Sequence, residues 1–448
     1  MAPKNDPRTI FGWAMYDWAN SAYATTTGAI VAAFFTREIV PPEGFLGMSA
    51  EALWAFLVSV GTFILFLAMP VLGAVADYSA AKRRFLRGFA LFGAAVTLLM
   101  PFVPAGGVVP FLLLFLLTQI GFVAGNVFYD GFLPEISTDD TIDRVSSKGF
   151  AFGYIGGGLY LLVALGVILA SGDGGILPIG QDTAVRAAIF GAGLWWAGFS
   201  LVALARLPET GQAGASPDGG RISRLVAYAR IGFGRTFGTT VRLVRFPQLL
   251  LFVVAFLLYN DGVQTVINIS GAYADQTLEL DATTIIIGFL VVQFIAFGGS
   301  LGFGALAVRI GTKQAILVSL AMWVGIAVGA YFLPAGASTG FYLLAAAVGF
   351  VLGGTQALSR SLYGSMIPEE ASAEFYGFFS VFSKFSAIWG PLLFGWVSLR
   401  TGSGRSAILS IVVFFVLGGV VLAFLDVDAA RASRSRWRFE GAEAETIE

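Results

Sequence analysis

Long runs of apolar residues, separated by short clusters of charged or turn-forming residues, recur along the whole chain. A helix that crosses a bilayer takes about 20 residues, and the pattern predicts about twelve such helices. They are expected near residues 11–36, 52–76, 85–104, 108–132, 149–171, 186–206, 248–271, 284–308, 314–334, 340–366, 375–399 and 406–425. The predicted fold class is therefore an all-α integral membrane protein.

The composition excludes a water-soluble protein. Of the 448 residues 57% are hydrophobic and 12% are charged, whereas a soluble domain averages about 25% charged residues. The sequence contains no Cys and no His, which excludes disulfides, zinc–thiolate sites and any Ser–His or Cys–His nucleophile. We expect no cofactor, no metal and no enzymatic activity. The net charge of −1 gives no sign of a nucleic-acid partner. The sequence also contains no loop ending in Gly-Lys-Ser/Thr, the motif that would indicate ATP binding.

The basic residues are distributed unequally between the two sides of the predicted helices. Four lie on one side (Arg37, Arg186, Arg400, Arg405) and two lie inside the membrane (Arg360, Lys384), so the other 21 of the 27 share the opposite side. The positive-inside rule makes that richer side cytoplasmic. Both termini are then cytoplasmic, and usage rich in Ala, Gly and Arg favours a bacterial inner membrane.

Internal repeats indicate two halves. Gly73-Ala-Val-Ala76 recurs as Gly304-Ala-Leu-Ala307, and the segment from Tyr129 to Glu135 recurs as that from Tyr363 to Glu369 at nearly the same separation. We therefore predict a six-helix half at 1–206, a cytoplasmic linker at 207–246, a second six-helix half at 247–425 and a tail at 426–448. Parallel repeats of this kind place a substrate site between the halves, near the membrane midplane.

The linker has two parts. Pro208 to Gly220 reads as a flexible segment. The rest alternates arginines with Ile222, Leu225, Val226 and Ala229 at helical spacing. Such a stretch either lies on the anionic cytoplasmic leaflet as an amphipathic helix or merely anchors the topology. Beyond Asp426 we expect disorder.

Polar residues inside the predicted helices are clustered on the first, fourth, seventh and tenth. Because an unpartnered polar group in a membrane is costly, such residues are candidates for function. One stripe on each of four helices is what a shared aqueous cavity requires. The candidates that would donate or accept hydrogen bonds are Asn20, Asn126, Asn260, Gln264 and Gln356.

The ionisable residues in these helices leave alternatives open. Asp261 and Lys384 form a buried ion pair or contact a substrate or a proton. Asp17 binds a proton or lies near the headgroups, and Asp130 serves gating or partners loop cations. Arg360 either binds a substrate carboxylate or holds a gate closed. Since there is no His, any proton coupling must use a carboxylate, and Asp261 is the first choice, followed by Asp17.

The loop after the second helix carries a recognisable motif. Gly73-Ala-Val-Ala-Asp77 with Lys82-Arg83-Arg84 resembles the loop signature of the major facilitator superfamily. The usual basic residue after the acid is Tyr78 here, and the second copy has Val308 in place of the acid. The resemblance implies a role in gating for Asp77 and Arg83.

Longer stretches resemble one branch of that superfamily, the bacterial relatives of the autophagy-related vacuolar amino-acid effluxers. They are Tyr16-Asp17-Trp18-Ala19-Asn20-Ser21, Phe132-Leu-Pro134-Glu135-Ile136, Gly149 to Gly158, Tyr259-Asn260-Asp261-Gly262-Val263-Gln264-Thr265, Gly353-Gly-Thr-Gln356-Ala-Leu-Ser359-Arg360-Ser361 and Gly390-Pro391-Leu392. The resemblance covers nearly the whole chain. It implies a carrier of two pseudo-repeats that rock about a central site, with amino acids as the substrate class of the eukaryotic members.

The sequence, with the resemblance, thus predicts a secondary transporter for a small polar solute, with amino acids as the expected class. Coupling to protons stays open, because Asp261 would take either the substrate amine or a proton. Arg360 or Lys384 would bind the substrate carboxylate. Two alternatives are an exporter of a sugar, organic acid or drug, and a non-transporting receptor on a carrier fold.

Overall fold

The computed structural model describes residues 3–172, 175–209, 221–243 and 245–437, and these residues are helical at all twelve predicted positions. The helices are α1 Pro7–Thr26, prolonged by Thr27–Val31, Ala32–Phe34 and Phe35–Ile39; α2 Ala50–Tyr78; α3 Lys82–Leu99; α4 Val108–Gly131; α5 Ile142–Leu169; α6 Gln181–Leu204; α7 Pro247–Gln276; α8 Ala282–Ile310; α9 Thr312–Phe332; α10 Ser338–Met366; α11 Ser372–Phe385 and Trp389–Thr401; and α12 Gly404–Ser410 and Val412–Ala423. Within the described residues, ten helical segments are long and apolar enough to cross a membrane. The predicted all-α membrane fold is confirmed.

Several helices begin earlier than the apolar runs predict, because polar first turns are capped. Asp6 accepts the backbone N–H of Thr9 at 2.9 Å, and Pro7 occupies the first turn of α1. Hydrogen bonds from Thr9 hold the pKa of Asp6 below its usual value. Asp281 caps α8 in the same way, through the backbone N–H of Thr284 at 3.0 Å.

Two sets of apolar side chains form the interior. One set comes from α7 to the end of the described chain, between Leu249 and Trp437. The other comes from α1 to α6, between Trp13 and Leu207, joined by Ala373 of α11. The two sets meet closely where α2 crosses α11: a Cβ added at Gly377 would lie 2.9 Å from the carbonyl oxygen of Met69.

The two segments outside the spans are also helical where they are described. The linker helix is Arg221–Leu243, and the tail helix is Val427–Arg434. The expected disorder beyond Asp426 is therefore wrong for the tail helix, because Arg434 pairs with Asp139 and Trp437 packs against Phe375. Most of the predicted flexible segment, and the side chains of Ile222, Leu225 and Val226, lie outside the described residues.

Both ends of the described chain lie at one face of the helix bundle. Asn5 donates its backbone N–H to the carbonyl oxygen of Ile136 at 2.8 Å, which places the start of α1 beside the end of α4. The ion pair between Arg434 and Asp139, at 2.8 Å, places the tail helix beside the same loop. We call this face, which carries the residues around Asp77, Pro134 and the linker helix, the basic face.

Candidate functional site

A cavity of about 860 Å³ lies between helices of the first half and helices of the second. Its walls come from α1, α4 and α5 on one side and from α7, α8 and α10 on the other. The polar and charged side chains that line it include Asp17, Asn20, Ser21, Thr25, Asn126, Asp130, Tyr154, Asn268, Gln293, Gln356 and Arg360. Its remaining wall is mostly aliphatic and aromatic. The volume lies within the range of about 300–1,000 Å³ that small-molecule sites occupy.

Arg360 of α10 lies at the end of the cavity nearer the basic face, between two carboxylates of the other half. Its Nη1 lies 3.0 Å from Oδ1 of Asp130 and 3.6 Å from Oδ2 of Asp17. The Arg360 side chain is 4% exposed, against 15% for Asp17 and 21% for Asp130. One cation thus faces two carboxylates in a largely dehydrated site, where an unpaired charge would be costly.

The helices hold this guanidinium in one orientation. Ser146 of α5 accepts Nε of Arg360 at its hydroxyl, at 3.0 Å, and Nη2 at its carbonyl oxygen, at 2.8 Å. The guanidinium carbon of Arg360 lies over the Phe150 ring, 4.1 Å from its centroid, and over the Trp13 ring, 4.8 Å from its centroid. Trp13 and Asp17 are one helical turn apart on α1, as are Ser146 and Phe150 on α5, so each helix supplies one ring and one polar group.

Tyr129 joins the carboxylates to the aromatic wall. Its hydroxyl donates to Oδ2 of Asp17 at 3.0 Å, its carbonyl oxygen accepts Nε1 of Trp13 at 2.8 Å, and its ring stacks on Trp13 with centroids 4.4 Å apart. Sequence reasoning missed Tyr129 and Ser146. An aromatic or hydroxyl residue in an apolar helix gives no signal of a polar role, although Tyr129 does recur as Tyr363 in the repeat.

Two amide pairs lie farther from Arg360 along the cavity. Asn20 donates to the side-chain oxygen of Asn126 at 2.5 Å, within the first half. Tyr154 donates to the side-chain oxygen of Gln356 at 2.5 Å and so links the two halves. These groups can exchange their mutual hydrogen bonds for bonds to a ligand.

The structure thus brings together six of the residues predicted from the sequence. They are Asp17, Asn20, Asn126, Asp130, Gln356 and Arg360.

Four other predicted residues do not line this cavity. Asn260 donates to the hydroxyl of Ser386, and Asp261 accepts backbone N–H groups of α11. Gln264 is half-buried, while Lys384 is an exposed side chain at the end of the first segment of α11. Among the described residues no ion pair joins Asp261 to Lys384, and the partners of the Asp261 carboxylate are backbone N–H groups and not that cation.

At the basic face, α2 holds the beginning of α11. Asp77 accepts the backbone N–H groups of Ala373 at 3.3 Å and Glu374 at 2.8 Å. Lys82 lies 3.1 Å from Asp77 and 2.6 Å from Glu135 and donates to the hydroxyl of Ser372 at 2.7 Å. These contacts join the two halves at the basic face.

Of the predicted gating residues, Asp77 takes part in these contacts between α2 and α11, and Asp130 contacts Arg360. Arg83 lies elsewhere: its Nε donates to the carbonyl oxygen of Leu204 at 3.1 Å. Lys82, the preceding residue, is the cation that faces Asp77. The sequence alone does not distinguish two neighbouring cations, because their directions depend on where α3 begins.

The chain is similar to known membrane proteins over most of its length. The model of the family described as vacuole effluxer Atg22 like matches residues 5–435. The uncharacterized MFS-type transporter YxiO of Bacillus subtilis is 31% identical over 414 residues, which cover 92% of this chain and 94% of the relative. Autophagy-related protein 22-1 of Aspergillus fumigatus is 26% identical over 303 residues. These cover 64% of this chain and 49% of the fungal protein, so the chain matches about half of that relative's length.

Solved structures show the same fold at low sequence identity. The major facilitator superfamily protein FucP in its outward conformation has a TM-score of 0.69 at 12% identity, covering 94% of this chain and 99% of that one. The proton:xylose symporter XylE, solved with 6-bromo-6-deoxy-D-glucose, has a TM-score of 0.66 at 15% identity, covering 95% and 97%. Fold and relatives are those of a transporter rather than an enzyme. The chain belongs to the Atg22-like family and is a membrane transporter of the major facilitator type.

Proposed function

We propose that this protein is a secondary active transporter that moves a neutral, zwitterionic amino acid across the membrane by alternating access. The observation that carries the proposal is the Asp17–Arg360–Asp130 cluster at the closed end of the cavity. A guanidinium beside two carboxylates offers a partner for each end of a zwitterion: Arg360 binds the carboxylate, and Asp17 or Asp130 binds the ammonium group. The family description and the fungal relatives support amino acids as the substrate class.

The rest of the cavity favours neutral side chains. Phe122, Phe289, Val292 and Leu352 form part of its apolar wall, which could cover an aliphatic or aromatic substrate side chain. A charged substrate side chain would need a further counter-charge there. We therefore expect neutral amino acids to be preferred.

The charge balance of the cluster also favours coupling to protons. Two carboxylates against one cation leave one negative charge in a site of low polarity. Binding one proton neutralises the cluster in the absence of substrate, and a substrate ammonium group could replace that proton. In this assignment Asp17 and Asp130, which line the cavity, take the coupling role that the sequence had given first to Asp261.

Orientation and direction of access belong to the same proposal. The basic face is the cytoplasmic one by the positive-inside rule, and the cavity is closed at that face by Asp77, Lys82 and the start of α11. The structure then represents an outward-facing state. We further propose that residues 1–206 and 247–425 move as the two units whose rocking closes the outer side and opens the inner one.

The experiment is counterflow in liposomes that are preloaded with a mixed pool of unlabelled amino acids and supplied outside with labelled tracers. Accumulation above protein-free vesicles is expected for the wild type and for Asp275→Asn, a control carboxylate outside the cavity. Asp17→Asn or Asp130→Asn should lose accumulation driven by a pH gradient and should also weaken exchange, because these carboxylates bind the substrate ammonium group as well as the proton. If folded wild-type protein accumulates no amino acid, the substrate assignment is wrong, and sugars, organic acids and drugs become the next panel; ligand binding without flux would indicate a receptor.

A further inference from the structure

The linker helix has two different faces. Through one face it packs on α2: a Cβ added at Gly232 would lie 2.7 Å from Cγ2 of Val75, and the rings of Tyr228 and Tyr78 are 6.4 Å apart. The other face presents large apolar side chains, with Phe233 64% exposed and Phe237 73% exposed. Exposed aromatic side chains on a helix that is docked against a membrane-spanning helix are typical of helices that lie in the headgroup layer.

The charge of this segment indicates what covers that face. Between positions 221 and 246 the sequence has arginines and no Asp or Glu: the arginines are Arg221, Arg224, Arg230, Arg235, Arg242 and Arg245. Apolar side chains interleaved with cations alone match an anionic membrane surface, where each arginine contributes to binding. A soluble acidic partner would leave Phe233 and Phe237 without an apolar environment.

Arg235 connects the linker helix to the closure at the basic face. Its Nε lies 3.6 Å from Oε2 of Glu374, whose side chain is fully buried near the start of α11. The backbone N–H of Glu374 is the group that donates to Asp77. The linker helix, held by α2, therefore reaches across to α11 at the point where the two halves meet.

The electrostatics of this junction make Arg235 important for closure. Asp77, Glu135 and Glu374 supply three carboxylates, and Lys82 and Arg235 supply two cations. Counted with all five groups ionised, these residues sum to one net negative charge, and to two without Arg235. Burying a second uncompensated charge is unfavourable, so closure of the basic face is stabilised when Arg235 is in place.

We propose that the linker helix is a lipid-responsive latch: its exposed face binds anionic lipid headgroups, and Arg235 transmits that binding to Glu374, so that anionic lipid favours closure of the basic face. A ligand shifts a conformational equilibrium only by its differential affinity for the two states. Here anionic lipid favours the docked position of the linker helix, and Arg235 of the docked helix contacts Glu374 only when α11 is in the closed position. The inference rests on the alternating access of the proposed function, but not on the identity of the substrate.

The test measures the distance between two spin labels across the basic face in nanodiscs. The chain has no native Cys, so Gly88→Cys on α3 and Val308→Cys on α8 give unique attachment sites at positions that are open or exposed. Nanodiscs of phosphatidylcholine are compared with nanodiscs of increasing phosphatidylglycerol content. We expect the closed-to-open ratio to rise by about fivefold, the factor that corresponds to the contribution of roughly one arginine to binding of the linker helix at an anionic surface. Higher ionic strength should reduce the rise, because it screens surface charge.

Matched variants separate the latch from general surface charge. Arg235→Gln and Glu374→Gln should each abolish most of the lipid response, and the double variant should add little to either. Arg230→Gln removes the same charge from an exposed position of the same helix and should keep most of the response. The series is repeated in the Gly377→Ala background, which is chosen to weaken closure. A lipid-dependent shift can then be measured even if the protein without this substitution is closed in every lipid.

Three results would overturn the latch. They are a distance distribution independent of lipid in both backgrounds, a full response in Glu374→Gln, and an equal loss in Arg230→Gln and Arg235→Gln. If the labels reported a single distance in every lipid and every variant, alternating access itself would be in doubt. If amino-acid counterflow fails while the spin-label distance still depends on lipid, only the substrate assignment is wrong.

Discussion

The carboxylate of Asp261 on α7 accepts the backbone N–H of Gly390 at 2.7 Å, and its second oxygen accepts that of Trp389 at 3.1 Å. These N–H groups begin the second segment of α11, after the break at Ser386–Ile388, and the capping position Ile388 offers no side-chain acceptor. The first N–H groups of a helix have no partner within the helix and carry a partial positive charge. Asp261 therefore acts as a cap supplied by another helix, and it fixes the two segments of α11 relative to α7.

Asp261→Asn should destabilise the protein by about 1–3 kcal/mol, because one of the two N–H groups then faces an amide NH₂ instead of an acceptor. The thermal unfolding midpoint in detergent should fall, while folded protein should still exchange substrate in counterflow. Asp275→Asn, at an exposed position of the same helix, should leave both unchanged. An unfolding midpoint equal to that of the wild type, combined with lost driven transport, would instead return Asp261 to the coupling role.

Arg360→Lys should reduce counterflow by at least about tenfold although the positive charge is kept. A lysine cannot contact Ser146 and Asp130 with separate nitrogens, nor stack its head between Phe150 and Trp13 as the planar guanidinium does. The measurement is initial exchange rate over a range of substrate concentrations, with folding checked by size-exclusion chromatography.

Arg309→Lys is the control for that substitution. Arg309 is an exposed residue at the end of α8, and its replacement should leave the exchange rate within about twofold of wild type, as is usual for surface positions. Equal exchange by Arg360→Lys and wild type would show that the site needs only a positive charge, and it would remove the argument for recognition of a carboxylate by the guanidinium.

The sequence predicts the helices well because a bilayer demands long apolar segments, and it identifies Asp17 and Arg360 because a charge within such a segment is conspicuous. It does not distinguish Asp130, which faces the cavity, from Asp261, which caps α11: both are carboxylates on polar stripes. The difference arises from the break in α11, which no single residue marks. Tyr129, Ser146 and the arrangement of Lys82 beside Asp77 likewise depend on tertiary packing. The order of the tail depends on Phe375 and Phe246, which are distant in sequence from Trp437.

Trp437→Ala should destabilise the second half without a matching shift in closure of the basic face. The indole packs against Phe246, which precedes α7, with ring centroids 4.6 Å apart, and against Phe375 at the start of α11, at 4.9 Å. Truncating a buried Trp costs about 3–5 kcal/mol, and because both rings lie on the side of the second half, the loss should lower the thermal unfolding midpoint and leave the spin-label distance across the basic face nearly unchanged.

Arg434→Gln is the comparison, because its half-exposed ion pair with Asp139 joins the tail to the first half. It should shift the spin-label distance slightly towards the open population, since such pairs contribute about 0–1 kcal/mol. A larger shift in Trp437→Ala than in Arg434→Gln would show that packing of the indole does depend on closure.

Gly377→Ala should also shift the equilibrium towards opening of the basic face, through a steric effect confined to the closed state. An added Cβ at position 377 would lie 2.8 Å from Cα of Pro70 and 2.9 Å from the carbonyl oxygen of Met69, both in the backbone of α2. Backbone atoms cannot turn aside as a flexible side chain can, so α2 and α11 must separate. Gly395→Ala on the second segment of α11 is the matched control, since its Cβ meets nothing within 4 Å. We expect a shift of about 1–3 kcal/mol for Gly377→Ala, the usual cost of overpacking, and no shift for Gly395→Ala, both measured as populations in the spin-label distance distribution. An unchanged distribution in Gly377→Ala would mean that α2 and α11 do not need this close approach to close the basic face.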